Sequence, residues 1–395
     1  MDPRRNPYAP GAGTPPPELA GRDEIIDRAA VALYRIGSGK AARSVVLYGL
    51  RGVGKTVLLQ RIRIAAEAEN CVPVVIEAPE GRSLPAMLGP VLRATLIRMS
   101  KSEAAKSALR KARAALAGFA KAAKLKYGDV EFNVDFGHEP GVADSGDLET
   151  DMTDLLICIG ETAAERKTVV ALFIDELQYI PEEQLAALIT ALHRANQKQL
   201  PITLVAAGLP QLLGQMGRAK SYAERLFEFI PIGPLERDAA RRALCIPAQH
   251  EGVAFTEDAV EEILTRTAGY PYFIQEWGKH AWSEATASPI SRDDVLRAND
   301  VALAELDASF FRVRFDRLTP TEKRYMRAMA ELGPGPHRSG DIADMLGKKN
   351  SAVAPVRAGL IKKGMLYSPS HGDTAFTVPL FDGFMKRTMP LLASG

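Results

Sequence analysis

Short runs of consecutive apolar residues divide the first 235 positions of the chain. Residues 45–47, 72–76, 169–174, 202–207 and 227–232 are apolar at nearly every position. Such runs predict strands buried on both faces, as in a parallel sheet, because an exposed face would require alternating polar residues. Segments with apolar residues every three or four positions separate the runs and predict helices. The alternation predicts an α/β fold built on a parallel sheet.

A change of pattern near residue 236 predicts a second unit. Only helical periodicity follows, at about 237–245, 256–267, 272–286 and 291–307. We expect residues 236–318 to form a separate helical unit.

The last 77 residues predict a third unit, because two kinds of pattern meet there. Short helical stretches occur at 319–332, 339–346 and 351–364, and residues 364–367 and 374–378 can pair as a hairpin. Three helices followed by a hairpin are typical of a winged helix-turn-helix domain. We assign residues 319–395 to it.

Two segments are expected to lie outside this scheme. Residues 1–17 contain six of the 26 prolines and predict an extended, poorly ordered arm. Within the sheet domain, 18–235, we interpret residues 84–146 as an insertion that includes a half-exposed strand over 130–136.

Composition narrows the class of protein. A hydrophobic content of 46% and a charged content of 25% are typical of a soluble globular chain. The sequence has no apolar run of membrane-spanning length and no signal-peptide core, so we expect a cytoplasmic protein. The three cysteines lie far apart in apolar surroundings, and neither they nor the six histidines have metal-ligand spacing.

The loop after the first strand carries the strongest chemical signal. It has the pattern G-x-x-x-x-G-K-T, in which glycines let backbone N–H groups point at phosphate oxygens and a helix N-terminus follows. Lys55 can reach the β- and γ-phosphates, and Thr56 can ligate Mg²⁺. An ordinary glycine turn is the weaker interpretation. The residues expected to bind the nucleotide are Gly49, Leu50, Arg51, Gly52, Val53, Gly54, Lys55 and Thr56.

Two acids complete the expected site. Asp175 and Glu176 follow the apolar run at 169–174, at the sheet edge where α/β proteins bind ligands. We expect Asp175 to hold Mg²⁺ through its water shell and Glu176 to deprotonate the water that attacks the γ-phosphate.

These motifs, with a Leu19-Ala20-Gly21-Arg22 segment about 25 residues before the loop, resemble AAA+ ATPases of the archaeal-type and origin-recognition-like group and their STAND relatives. The resemblance implies that Leu19, Gly21 and Arg22 lie near the adenine. It also implies that residues 236–318 are the small helical lid of this group. The Gly-x-Pro turn at Pro271 would then touch the nucleotide from the lid, although a proline that merely starts a helix is the alternative.

Two expected features of the family are missing from this sequence, and the role of one arginine has two interpretations. The usual γ-phosphate sensor is replaced by Ala207-Gly208, and no arginine occupies the usual lid position. The resemblance makes Arg225 an arginine finger for a neighbouring subunit; a salt-bridged surface arginine is the alternative.

Positive charge is concentrated in two segments, although the whole chain has a formal charge of only +2. Residues 101–126 carry eight Lys/Arg against one acid, either as a solvated helix face or as a surface for nucleic acid or an acidic partner. Residues 319–395 carry 11 Lys/Arg and 6 Asp/Glu, which favours DNA binding there. The candidate DNA contacts are Lys348, Lys349, Ser351, Arg357, Lys362 and Lys363.

Two functions fit these features. The first is an ATPase that uses ATP·Mg²⁺ to drive a conformational switch coupled to double-stranded DNA binding by the winged helix. The second is a STAND-type signalling scaffold whose winged helix holds a protein partner. Whether the chain forms a homo-oligomer stays open.

Overall fold

A parallel five-stranded sheet forms the centre of the first domain, as predicted. The computed structural model describes residues 1–11, 13–100, 106–127 and 141–391, so the strand expected at 130–136 lies outside the described residues. The strand order is β2-β3-β4-β1-β5, and every pairing is parallel. The strands are β1 (Ser44–Tyr48), β2 (Cys71–Glu77), β3 (Val169–Asp175), β4 (Ile202–Gly208) and β5 (Phe227–Pro231).

Helices cover both faces of the sheet. Successive residues of a strand point to opposite faces, so Phe173 packs with α1 and α2 while Leu172 and Ile174 pack with the helices opposite. The helices are α1 (Asp23–Gly37), α2 (Lys55–Ala68), α3 (Leu84–Met99), α4 (Lys106–Tyr127), α5 (Leu148–Glu165), α6 (Glu182–Gln197), α7 (Leu212–Ala219) and α8 (Ala223–Leu226).

The described helices of the proposed insertion, residues 84–146, pack into the core of the sheet domain. Leu88 and Leu92 of α3 and Leu116 and Phe119 of α4 are buried in the same apolar cluster as the sheet. Their removal would leave that face uncovered, so α3 and α4 are part of the domain core. The basic residues of α4, such as Lys111 and Lys121, lie on its exposed face.

In the proposed lid, residues 236–318, helices occur at the four places that the periodicity predicts. Its helices are α9 (Arg237–His250), α10 (Glu257–Thr267), α11 (Pro271–Glu284) and α12 (Arg292–Leu306), followed by a π-helical turn (Asp307–Phe311) and α13 (Arg312–Asp316). The π-helical turn and α13 lead directly into the C-terminal unit.

The C-terminal unit combines helices with a small antiparallel sheet of order β6-β8-β7. Its three helices before the hairpin lie within two residues of the predicted bounds. The elements are α14 (Pro320–Glu331), β6 (His337–Arg338), α15 (Ser339–Met345), α16 (Asn350–Lys362), β7 (Leu366–Tyr367), β8 (Asp373–Phe376) and α17 (Phe381–Thr388). No helix of the described segments is long and apolar enough to cross a bilayer.

The lid and the C-terminal unit share one apolar core, which the proposed boundary at residue 319 does not anticipate. Phe311 of the π-helical turn packs edge-to-face against Phe381 and in a tilted arrangement against Phe384 of α17, with ring centroids 5.7 and 5.3 Å apart. Phe315 also contacts Phe384. Because these rings bury each other, the two units are held together as one body.

The N-terminal arm differs from the expectation of disorder over residues 1–17. The Tyr8 side chain is 3% exposed and packs on Gly278, and its hydroxyl donates to the Leu244 carbonyl. Asn6 Nδ2 donates to the Lys279 carbonyl at 3.0 Å. The first residues of the segment lie on the lid because burial of the Tyr8 ring stabilises them there, although they form no long helix or strand.

Candidate functional site

The phosphate loop joins β1 to α2 at the carboxyl edge of the sheet. Gly52 and Gly54 adopt φ angles of 81° and 88°, a region that side-chain-bearing residues avoid. A Cβ at Gly49 would lie 2.0 Å from the Ile232 carbonyl oxygen. The glycines are therefore required for the loop to turn and for its N–H groups to converge.

Lys55 begins α2 and folds back over the loop. Its Nζ donates to the carbonyl oxygens of Gly49 and Leu50 at 3.0 and 2.8 Å. Burial lowers the pKa of Lys55 to about 8, although Glu176 and Asp175 oppose the shift. A phosphate anion in the loop would give this ammonium group a stronger partner than the two carbonyls.

Thr56 and Asp175 meet although 119 positions separate them in the chain. The Thr56 hydroxyl donates to Asp175 Oδ2 at 2.6 Å. Burial raises the pKa of the Asp175 carboxyl, and Glu176 raises it further, while the Thr56 hydrogen bond lowers it. Paired oxygen donors with a destabilised negative charge suit a hard divalent cation such as Mg²⁺.

Glu176 is held by two neighbours. Its backbone adopts φ 54°, in the left-handed region. Arg51 Nη1 lies 3.6 Å from Glu176 Oε1, and Gln178 Nε2 donates to Glu176 Oε2. The carboxylate that we expect to accept the water proton is thus tethered on both oxygens.

Gln178 is a site residue that the sequence analysis missed. Its side chain is 5% exposed, and its Oε1 accepts a hydrogen bond from Leu209 N at 3.0 Å, beside Gly208. It therefore occupies the end of β4, where Ala207-Gly208 leaves the expected sensor position without a polar side chain. The only local signal is a glutamine two residues after Glu176.

The segment before α1 and the lid both reach the loop. Arg22 donates to the carbonyl oxygens of Val53 and Gly233, so it lies between the loop and the start of the lid. Leu19 and Gly21 flank this contact, and the Gly21 backbone packs on Ala239 of α9. The resemblance implies that these residues lie near the adenine, and that role stays a prediction.

Pro271 starts α11, and the next residue contacts the phosphate loop directly. Tyr272 N donates to the Gly52 carbonyl at 3.2 Å. Arg225, in contrast, is exposed on α8 just before β5, at the amino edge of the sheet. Since the phosphate loop lies at the opposite edge, Arg225 is not part of the site in its own chain.

Arg314 of α13 is a second residue that the sequence analysis missed. Its guanidinium lies 4.2 Å from the ring centre of Phe310 and faces Arg51, Tyr272 and Glu176. Burial, and after it the positive charge of Arg51, lower the pKa of Arg314 to about 10, while Tyr272 and Glu176 oppose the shift. Arg314 lies close enough to Arg51, and Arg51 to Lys55, for their charges to interact, and this concentration of positive charge favours binding of an anion.

The C-terminal unit closes over the phosphate loop. Arg51 N donates to the Thr377 carbonyl at 3.0 Å, and Arg317 forms an ion pair with Glu80 at 2.7 Å. The cleft between the phosphate loop and the C-terminal unit has a volume of about 1630 Å³. Gly49 lines one side of it, and α16, including Lys362, lines the other.

The six candidate DNA contacts fall into two groups. Lys348, Lys349, Ser351 and Lys362 are exposed. Arg357 is held by Thr374 Oγ1 at 2.7 Å, and Lys363 is paired with Glu322 at 2.7 Å. The structure therefore brings Arg357 and Lys363 into internal contacts and leaves the other four free of such contacts among the described residues.

Comparisons with known proteins bear on each part of the chain. Residues 18–205 match the model of the AAA ATPase domain family. Residues 308–385 match that of a domain of unknown function, DUF8462, which begins before the predicted boundary at 319. A search of curated proteins finds no match.

Solved structures with similar folds include a Walker-type ATPase of Pyrococcus abyssi, at 16% identity and TM-score 0.58, over 94% of this chain and 97% of that one. Aeropyrum pernix Orc1 in complex with DNA matches at 16% identity and TM-score 0.46, over 94% of each chain. The Thermotoga maritima RuvB Holliday junction branch migration motor matches at 18% identity and TM-score 0.45, over 90% and 92%. At such identities the Pyrococcus match supports the fold alone.

Proposed function

Residues 18–205 form an AAA ATPase domain, and from this premise we propose that ATP hydrolysis moves a C-terminal winged helix that binds double-stranded DNA. The observation that carries the proposal is the hydrogen bond from Arg51 N to the Thr377 carbonyl at 3.0 Å. It joins the phosphate loop of the ATPase domain to the C-terminal unit, so a conformational change in the loop would shift the C-terminal unit.

The chemistry follows from the positions of three side chains. On nucleotide binding, the Lys55 ammonium leaves the carbonyls of the loop for the β- and γ-phosphates. Glu176 accepts a proton from the water whose oxygen attacks the γ-phosphorus, and the bond to the β-phosphate oxygen breaks to release ADP. Mg²⁺, held by Thr56 and through water by Asp175, would neutralise phosphate charge.

Release of Glu176 is the step that links chemistry to movement. Arg51 and Gln178 hold its carboxylate in the structure. A γ-phosphate beside Arg51 and Arg314 would compete for these cations. This would release Glu176 from Arg51, leaving only the Gln178 contact, and would disturb the Arg51 contact with Thr377. The lid and the C-terminal unit share one core, so they respond together.

The DNA surface is the exposed end of α16 and the turn before it. Lys348, Lys349 and Ser351 lie there, while Lys362 faces the cleft with the phosphate loop. Lys362 is exposed as well, so opening of the cleft would change the space beside it, and the ATP state would set how closely a duplex can approach this side chain. Arg225, at the other edge of the sheet, would act on a neighbouring subunit's nucleotide in a homo-oligomer.

A STAND-type scaffold is the second candidate function. The commitment of Arg357 and Lys363 to internal contacts favours it, because these side chains are then unavailable to phosphates. In that case the C-terminal unit would hold a protein partner.

The roles of Lys55 and Glu176 are tested by nucleotide binding and turnover. Lys55→Ala should lose binding, since the main cationic contact disappears. Glu176→Gln should bind ATP normally and lose at least about 100-fold in turnover, in line with loss of a general base. Normal turnover in Glu176→Gln would contradict the role given to this carboxylate.

DNA coupling is tested with the Glu176→Gln variant, which holds ATP. Its affinity for random duplex DNA should differ between ATP and ADP, and should fall steeply as salt rises. Lys55→Ala should bind DNA without any effect of nucleotide. The absence of DNA binding at low salt in all states would instead support the scaffold.

A further inference from the structure

A cluster of three metal-ligating side chains lies in the lid, apart from the nucleotide site. Glu276 and His280 are four residues apart in α11 and so occupy one face of the helix. Glu305 approaches them from α12. The ligand atoms of all three residues lie within 4.8 Å of one another.

One carboxylate oxygen in this cluster is buried without a hydrogen bond from the described residues, namely Glu276 Oε2, on a residue that is 3% exposed. His280, which is 7% exposed, has its Nε2 3.0 Å from Glu305 Oε2. An unpartnered buried carboxylate oxygen costs considerable free energy unless a cation or a proton neutralises it.

We propose that Glu276, His280 and Glu305 bind a divalent transition-metal ion, with Zn²⁺ favoured, that fastens α11 to α12. One imidazole nitrogen and two carboxylate oxygens suit Zn²⁺ better than Mg²⁺ or Ca²⁺, which prefer oxygen alone. Bonds of about 2.0–2.2 Å place tetrahedral ligand atoms roughly 3.4 Å apart, so small side-chain rotations suffice. Water can enter as the fourth ligand beside Glu305, whose side chain is 44% exposed.

The surroundings of the cluster are compatible with an ion. Lys279 Nζ donates to Glu305 Oε1 at 2.6 Å, which orients the carboxylate and leaves Oε2 directed at His280. Glu276 Oε2 has no such partner in the part of the chain that the structure describes, so a bound cation would supply the interaction that this buried carboxylate lacks.

The sequence analysis missed this site because its third ligand comes from another helix, well beyond His280 in the chain. Glu276 also lies one helical turn after Tyr272, whose backbone N–H contacts the phosphate loop. An ion here would make the contacting helix stiffer. The inference does not depend on DNA binding or on the assigned hydrolysis roles.

Metal binding is tested with the full chain, stripped by EDTA and free of nucleotide. Titration with Zn²⁺ should give about one ion per chain and a higher melting temperature, whereas Mg²⁺ alone should give neither. Glu276→Gln and His280→Gln should each weaken Zn²⁺ binding by at least about tenfold. Glu305→Gln should weaken Zn²⁺ binding in the same way. Because the Glu305 side chain is 44% exposed, this variant alters no buried side chain.

His371→Asn is the matched control, because His371 is exposed in the turn before β8 and should leave Zn²⁺ binding unchanged. The proposal is overturned if the wild-type chain retains no Zn²⁺ at micromolar concentration. It is equally overturned if Zn²⁺ binds undiminished to the three ligand variants, since the ion would then occupy other groups such as the free thiols.

Discussion

Lys55 shows how burial tunes a single residue of the nucleotide site. Its ammonium group is enclosed by the loop and bonded only to neutral carbonyls, so its pKa falls to about 8. In the unfolded chain an ordinary lysine loses its proton near pH ~10.4. Between these values the folded protein carries fewer protons than the unfolded chain, and its stability therefore rises with pH in that window.

We expect ATP affinity to weaken as pH rises above about 8, because the bound phosphates need the charged form of Lys55. Once the free protein has lost the proton, binding must restore it, which costs up to about tenfold in affinity per pH unit. Calorimetry from about pH 7.5 to 9.5, in two buffers of different ionisation enthalpy, would measure both affinity and proton uptake. Constant affinity across this range would contradict the shifted pKa.

Gly208 offers a residue-level test of the Gln178 position. A Cβ at Gly208 would lie 2.8 Å from Gln178 Oε1 and 2.8 Å from Leu212 Cδ2. Gly208→Ala should therefore displace Gln178, lower ATP turnover and destabilise the protein by about 1–3 kcal/mol. Turnover assays and urea unfolding would measure the two effects.

Gly217 provides the matched control for that substitution. It lies in α7, is exposed, and has open space within 4 Å of the position that a Cβ would take. Gly217→Ala should stabilise the protein by about 0.5–1 kcal/mol and leave turnover unchanged. If both alanines had the same effect, the crowding beside Gln178 would not be the cause.

At the scale of elements, the N-terminal segment acts as a strap on the lid. It has no periodic pattern, yet Tyr8 is buried against Gly278 of α11 and Trp282 Nε1 donates to the Asp2 carbonyl at 3.0 Å. The two tryptophans of the chain, Trp277 and Trp282, both belong to α11. Their fluorescence therefore reports on the helix that the strap covers.

Tyr8→Ala should destabilise the lid by about 3 kcal/mol, because it leaves a cavity the size of an aromatic ring. Tyr8→Phe should cost only about 1 kcal/mol, for one hydrogen bond to Leu244. Tryptophan fluorescence during urea unfolding is the measurement. Tyr34→Ala is the control, since Tyr34 is 72% exposed and should change little; equal losses in all three variants would exclude a strap.

At the scale of the whole molecule, the chain folds around three apolar clusters, and these do not follow the three domains expected from the sequence. Two cover the faces of the sheet, and the third runs from Tyr8 through the lid to Met385. Phe311 and Phe315 lie before residue 319 but are buried by α17. The C-terminal unit is thus needed to bury the apolar core of the lid.

A chain ending at residue 318 should therefore have a less stable lid, not merely lack a DNA-binding unit. Exposure of the Phe311 and Phe315 rings should lower the midpoint of the tryptophan-detected transition, and the truncated chain should bind an apolar dye. Comparison of the full and truncated chains by fluorescence measures this. An unchanged transition would indicate that the two units fold independently.

The features that the sequence determined by itself are local in the chain. Apolar runs identify buried strands because a strand covered on both faces excludes polar side chains. The spacing of Gly49, Gly54, Lys55 and Thr56 identifies a phosphate loop because one continuous turn supplies all its ligands. Asp175 could be paired with this loop since parallel strands end at one edge of the sheet.

Only the tertiary structure decided which residues meet across large separations in the chain. Gln178 beside Gly208, Arg314 facing Arg51, and Tyr8 on α11 each depend on how side chains pack between elements. Periodicity tells which face of an element is buried, but not which residue of another element covers it. For that reason the sequence indicated a nucleotide site, while the contact of its loop with the C-terminal unit emerged only from the fold.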